Sequence, residues 1–187
     1  MAKLVYHHYG MAVHQALGNP EALNLLAPQL FGWSRKPGIN ASVYVMEYLY
    51  PPGYETEGWC TLAEVNQDKV AKIRHLIYPV LQEIVNRLVN LGFVHGDLRP
   101  NNLMIRMKDR TNIAEPVEIK VVDFEWADKV GIARYPHNRN EDIGFPGKAG
   151  DLIGPKDDQY MIDKWKEDIN KYVESALAQD GHHVTWP

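Results

Sequence analysis

Between Phe93-Val94 and Leu103-Met104-Ile105 the chain reads HGDLRPNN, which places His95, Asp97, Arg99, Asn101 and Asn102 within eight positions. Apolar flanks of this kind predict short buried strands, so the polar run should be a loop on a packed scaffold, where binding and catalytic groups concentrate. A second anchor, Asp123, closes the strand-like stretch IKVV 26 residues after Asp97 (123 − 97 = 26). A carboxylate and an amide oxygen at neighbouring strand ends can hold Mg²⁺, which prefers hard oxygen ligands and keeps several waters. Asp123 and Asn102 are the candidates for that pair. Asp97, on the loop itself, can accept or orient the proton of an incoming hydroxyl. Arg99 offers a cation to phosphate or else a structural salt bridge, and His95 can brace the loop by hydrogen bonds. The rival for the whole set is a hydrogen-bonded loop with no chemistry.

These groups need elements to position them. The clearest is a helix over 68–91, in which Val70, Ile73, Ile77, Val80, Leu81, Ile84, Leu88 and Leu91 recur at steps of three and four and mark one buried face before Gly92 ends it. Upstream, YHHYGMAVHQALG predicts a short helix ending at Gly18, and NPEALNLLAP leads out of it to Pro28. QLFGW and SVYVMEYLY read as strands on either side of the turn-rich SRKPGIN, and PPGYETEG as a loop. After the polar loop, NLMIRM and PVEIKVVDF read as two strands joined by KDRTNIAE. The Gly/Pro-rich 131–155 has no period and is expected to be irregular. A final helix-like segment over 156–178 carries Tyr160, Met161, Ile162, Trp165, Ile169, Tyr172 and Val173 as apolar candidates.

Bulk properties narrow the setting. With 187 residues, 45% apolar and 24% charged, the chain is one globular domain's worth of sequence with material for a core. Its 20 basic and 24 acidic residues give a net charge of −4 without a basic block, which argues against nucleic acid as a partner. The single Cys60 cannot form an internal disulfide, and no histidine or cysteine cluster has zinc spacing. No apolar run reaches the roughly eighteen residues of a membrane span, and MAKLVYHHYG lacks the apolar stretch of a signal peptide. An intracellular, cytoplasmic protein with no membrane partner is expected. Cys60 and the histidines His7, His8, His182 and His183 are read as inert or surface groups.

HGDLRPNN resembles the catalytic loop of the protein-kinase-like superfamily, H-R-D-x-x-x-x-N, and VVDFEWA resembles its metal-binding D-F-G strand end. Order, apolar flanks and the preceding long helix agree. The resemblance implies an α+β, protein-kinase-like fold with a small β-rich N-lobe, here reduced, and a mostly helical C-lobe. It makes 1–187 a single domain, with 1–49 a partial N-lobe and hinge and 50–187 a partial C-lobe. VYVMEYL resembles the hinge strand between the lobes, which would make Met46 the gatekeeper and give the backbone of Glu47 and Leu49 to the adenine edge. Lys3 in AKLV resembles the strand lysine that contacts ATP phosphates, with a solvated lysine as the alternative. Asp158 in DDQYM resembles a buried aspartate that bonds the catalytic-loop backbone, or is a helix N-terminal acid favoured by the dipole. The variants at Gly96 and in DFEWA, with YPHNRN and DDQYM, look most like divergent fungal kinase-like proteins. Choline-kinase and aminoglycoside-phosphotransferase relatives also carry an HGD loop.

Departures from the pattern shape the expectations. Only Met1 and Ala2 precede Lys3, so the Gly-rich hairpin that covers ATP phosphates is absent and an N-terminal truncation is expected. The helix after Lys3 has no glutamate to pair with it, the first acid being Glu21. Glu125 replaces the glycine of D-F-G and becomes a candidate third metal ligand. A sheet lacking that hairpin would present an open edge to a partner strand. The resemblance therefore implies ATP and Mg²⁺ as cofactors and phosphate transfer, in the first instance to protein serine or threonine. The alternatives are a small-molecule kinase of the choline or aminoglycoside type and a non-catalytic kinase-like module that binds nucleotide or partners.

Overall fold

A computed structural model describes residues 1–35, 38, 41–52, 58–107 and 117–180. The expected loops over 53–57 and 108–116, part of the turn over 36–40, and His182 and His183 lie outside the described residues.

The longest periodic stretch folds as read. Helix α2 (Gln67–Asn90) starts at Asn66, whose side chain accepts the N–H of Asp68. Val70, Ile73, Ile77, Leu81, Ile84 and Leu88 form its buried face. Leu91, expected in that stripe, is about half exposed, because the helix stops at Asn90 and Gly92 turns the chain with a φ of 70°. Helix α3 (Pro155–Asp180) packs against α2, with Trp165 edge-on to Tyr78 and the Gln159 amide 2.9 Å from that of Gln82. Met161, Ile162 and Ile169 are buried, whereas Tyr160 stays half exposed.

Strand β1 (Ala2–Val5), helix α1 (Met11–Leu17), strand β2 (Leu30–Arg35) and strand β3 (Ser42–Met46) make up the smaller part. The three strands form an antiparallel sheet in the order β1-β3-β2, and its register aligns Lys3, Tyr44 and Trp33 across one face. Strand β3 ends at Met46, four residues short of the expected run. Beyond it Glu47 is held by backbone and side chain: its N–H donates to Gln29 O, and its carboxylate receives Lys120 at 2.6 Å.

The larger part holds a second antiparallel sheet, β4 (Trp59–Thr61), β6 (Leu103–Met107) and β7 (Val117–Val121), in the order β4-β6-β7. A two-stranded pair joins β5 (Phe93–Val94) to β8 (Asp128–Lys129). The three-residue β4 and two-residue β8 went unread because neither is long enough to show a period. The stretch after β8 is irregular as expected, yet it is packed. Tyr135, Ile153, Ala133 and Val94 form a small core of their own, with Trp126 and Phe145 against it. The main core joins α1, α2 and both three-stranded sheets. Among the described residues no helix is long and apolar enough to cross a membrane.

Candidate active site

The HGD loop is fixed from beneath. The N–H groups of His95 and Gly96 donate to the two carboxylate oxygens of Asp158, at 2.7 and 2.8 Å, so this α3 residue is the loop's buried support as well as an acid in the helix's first turn. Burial pushes the Asp158 carboxyl up to about 7, against the two N–H donors that favour its charged form. Gly96 takes a φ of 82°, and a Cβ there would lie 2.7 Å from Ile153 Cδ1. The positive φ favours glycine, and any larger residue would also have to displace the end of the Ile153 side chain.

His95 braces the loop as expected. Its Nε2 donates to Val122 O at 3.2 Å, which leaves Nδ1 to accept the Asp97 N–H at 3.3 Å. Burial lowers its pKa to about 4, so the ring is neutral near pH 7. Phe124 sits edge-on to it at 5.2 Å, and His14 of α1 stacks on Phe124 at 4.5 Å. His14 in turn donates from Nε2 to Pro28 O and accepts the Tyr9 hydroxyl at Nδ1. A continuous column of rings thus runs from α1 to the loop. Tyr9 and His14 were not singled out from sequence. A histidine inside the apolar MAVHQAL was the one available signal.

Asp97 is buried. The Asn102 amide donates to its backbone oxygen at 2.9 Å and to Oδ2 at 2.8 Å, and Arg99 forks onto both carboxylate oxygens. Burial raises the Asp97 pKa while Arg99 and Asn102 oppose the rise. Arg99 is therefore an ion-pair partner of Asp97 here. With both amide donations committed inward, the Asn102 carbonyl oxygen is the atom that can face a cation.

Val122 N donates to Asn102 O at 2.9 Å, so the backbone that carries Asn102 is pinned beside the one that carries Asp123. Asp123 is the one non-glycine residue with positive φ among the described residues, at 67°. Such a conformation costs of order 1–2 kcal/mol for most side chains, less for aspartate, and tends to persist where a site needs it. It turns the exposed carboxylate toward β1, where Lys3 Nζ lies 2.9 Å from Asp123 Oδ1 and 2.9 Å from Glu125 Oε1. Partial burial lowers the Lys3 pKa, and the two carboxylates more than reverse this, leaving it raised.

A cavity of about 310 Å³ opens above these groups, between the small sheet and the larger part. Met46, Leu49, Met104 and Val122 give it apolar walls, and Lys3 and Asp123 stand at its polar end. Met46 and Leu49, to which the kinase resemblance gave places beside the adenine, both line this cavity. Glu47, expected beside them, does not line this space: its carboxylate is turned to Lys120 and its N–H is committed to Gln29 O. A larger hollow of about 730 Å³ beside α2 contains none of the candidate residues.

No family model matches the chain, and no curated protein matches it. Among solved structures it is similar to the kinase PK-1 of Cydia pomonella granulovirus, with a TM-score of 0.51 at 17% identity over 86% of this chain. The fold is kinase-like. The chain spans about half of that kinase, 55% of its length. In the kinase-like α+β arrangement seen here, the small sheet with α1 and the larger, mostly helical part face each other across the cavity. The HGD loop and Asp123 lie on the larger part's side.

The donor set suits a hard cation. Among the described residues no three His, Cys, Asp or Glu are gathered for a metal. Asp123 and the side-chain oxygen of Asn102 are oxygen donors of the kind Mg²⁺ takes together with water.

Proposed function

We propose that this chain is an ATP- and Mg²⁺-dependent phosphotransferase whose acceptor is a serine or threonine hydroxyl of a protein. The observation that carries the proposal is the single hydrogen-bonded unit formed by Asp97, Asn102 and Val122, which joins the loop to Asp123, a residue that lines the cavity together with Lys3. The apolar walls, with the Leu49 backbone, suit a purine ring. Lys3 faces the phosphates, and Asn102 and Asp123 hold Mg²⁺. When bound there, the ion neutralises and orients phosphate oxygens. Asp97 takes the proton of the incoming hydroxyl, and its raised pKa makes it a better base than a solvated aspartate. His95 and Asp158 keep that carboxylate in place.

One observation favours a second reading. Arg99 and Asn102 together engage both Asp97 oxygens, and an aspartate so engaged has to surrender the Arg99 pair before it can receive a hydroxyl. A module that binds nucleotide without turnover would keep the pair closed. Transfer from γ-labelled ATP separates the readings, with a serine/threonine peptide mixture and a panel of hydroxylated small amines as acceptors. Label on the peptides, reduced about 10²- to 10⁴-fold in Asp97→Asn, is the expected result. Label only on a small amine would reassign the acceptor. Equal rates in the variant and the parent would remove Asp97 from the chemistry.

A further inference from the structure

The ammonium of Lys3 is held by acidic neighbours, and helix α1 supplies none of them. Helix α1 reads MAVHQAL. Its face toward Phe124 begins at Gly10, one turn before His14, since residues four apart share a helix face. No side chain fits at that start, because a Cβ on Gly10 would lie 2.3 Å from Ala127 O and 2.7 Å from Ala127 Cβ. Gly10 instead donates its N–H to Phe124 O at 2.7 Å, which ties the helix start to the segment that carries Glu125. Glu125 is the residue that reaches Lys3, Oε1 to Nζ at 2.9 Å.

Lys3 has a second partner in Asp123, at the same distance. The function proposed above, on which this inference rests, commits the Asp123 carboxylate to a cation. Glu125 is then the acid left to Lys3. We propose that Glu125 is a positioning residue that holds the Lys3 ammonium toward the nucleotide phosphates, supplying from the segment after β7 the negative charge that α1 lacks. This assigns Glu125 to the lysine, in place of the third metal-ligand role expected from sequence.

A double-mutant cycle tests it, since two groups acting as one unit are non-additive. ATP affinity is measured by calorimetry for the parent, Glu125→Gln, Lys3→Met and the double variant, once with Mg²⁺ and once in excess chelator. Glu125→Gln should weaken ATP about fivefold, the size expected of a partly exposed ion pair. The double variant should bind no more weakly than Lys3→Met alone, and the Glu125→Gln loss should persist in chelator. In the ligand-free proteins, acetic anhydride labelling of Lys3, read by mass spectrometry, should rise in Glu125→Gln. Additive losses, or a Glu125→Gln effect that vanishes in chelator, would overturn the assignment in favour of a metal ligand. Parent-like ATP affinity in Glu125→Gln would also overturn it and leave the nucleotide site standing. No ATP binding by the parent chain would remove the nucleotide site and this role of Glu125 with it.

Discussion

His95 and Asp158 are joined by one hydrogen bond, and burial moves them in opposite directions, so they act oppositely on stability. The His95 pKa is about 4 in the folded chain against an ordinary 6.5, so between these values the unfolded chain holds the extra proton and stability rises with pH. Asp158 titrates at about 7 when folded against an ordinary 3.8, so the folded chain holds the extra proton and stability falls as pH rises through that window. From about pH 4 to 6.5 the two slopes, each about 1.4 kcal/mol per pH unit, cancel. Asp158→Asn should remove one of them. Its urea midpoint should drop more steeply than the parent's as pH is lowered from 6.5 to 4.5, and parallel curves would refute the opposition. At this scale the sequence exposed Asp97, Asn102 and Asp123 because polar residues between apolar strands stand out. It hid Lys120, buried at 5% exposure on an apolar-looking strand, because its partner Glu47 is 73 positions away. It hid the His14 column for the same reason, since a ring becomes a strut only when Phe124 arrives beside it.

The loop's shape is enforced where three elements meet. Gly96 sits between β5, the start of α3 and Ile153, and its positive φ lets its N–H reach Asp158. Gly96→Ala should cost about 1–3 kcal/mol, from the left-handed backbone and the contact with Ile153. Denaturant unfolding of Gly96→Ala, Ile153→Ala and the double variant measures both parts. Part of the loss should be recovered in the double variant, and strict additivity would mean that the side-chain contact is not the cause. Helix α2 was legible because its apolar residues repeat at steps of three and four over about six turns, and its stop before Gly92 was legible from residue type alone. The path of 131–154 was not. Its order comes from Tyr135 and Ile153 packing with Val94, contacts between residues far apart in sequence that leave no period.

At the scale of the molecule, the cavity exists because the small sheet and the larger part are held face to face. Lys120 and Glu47 clamp the connecting chain, Gly10 bonds Phe124 O, and the His14, Phe124 and His95 rings bridge the gap. All three links end next to a proposed site residue, so nucleotide binding should stabilise the whole chain and not one part of it. A thermal-shift titration with ATP and Mg²⁺, run beside Asp123→Asn, tests this most directly. At 100 times Kd the ligand adds about 2.7 kcal/mol, which in a chain of this size raises Tm by roughly 5–10 °C. The proposed site predicts a single rise in the parent that is larger with Mg²⁺ than in chelator, and a smaller, Mg²⁺-insensitive rise in Asp123→Asn. An unchanged Tm in the parent at millimolar ATP, or an equal rise in both proteins, would contradict the site described here.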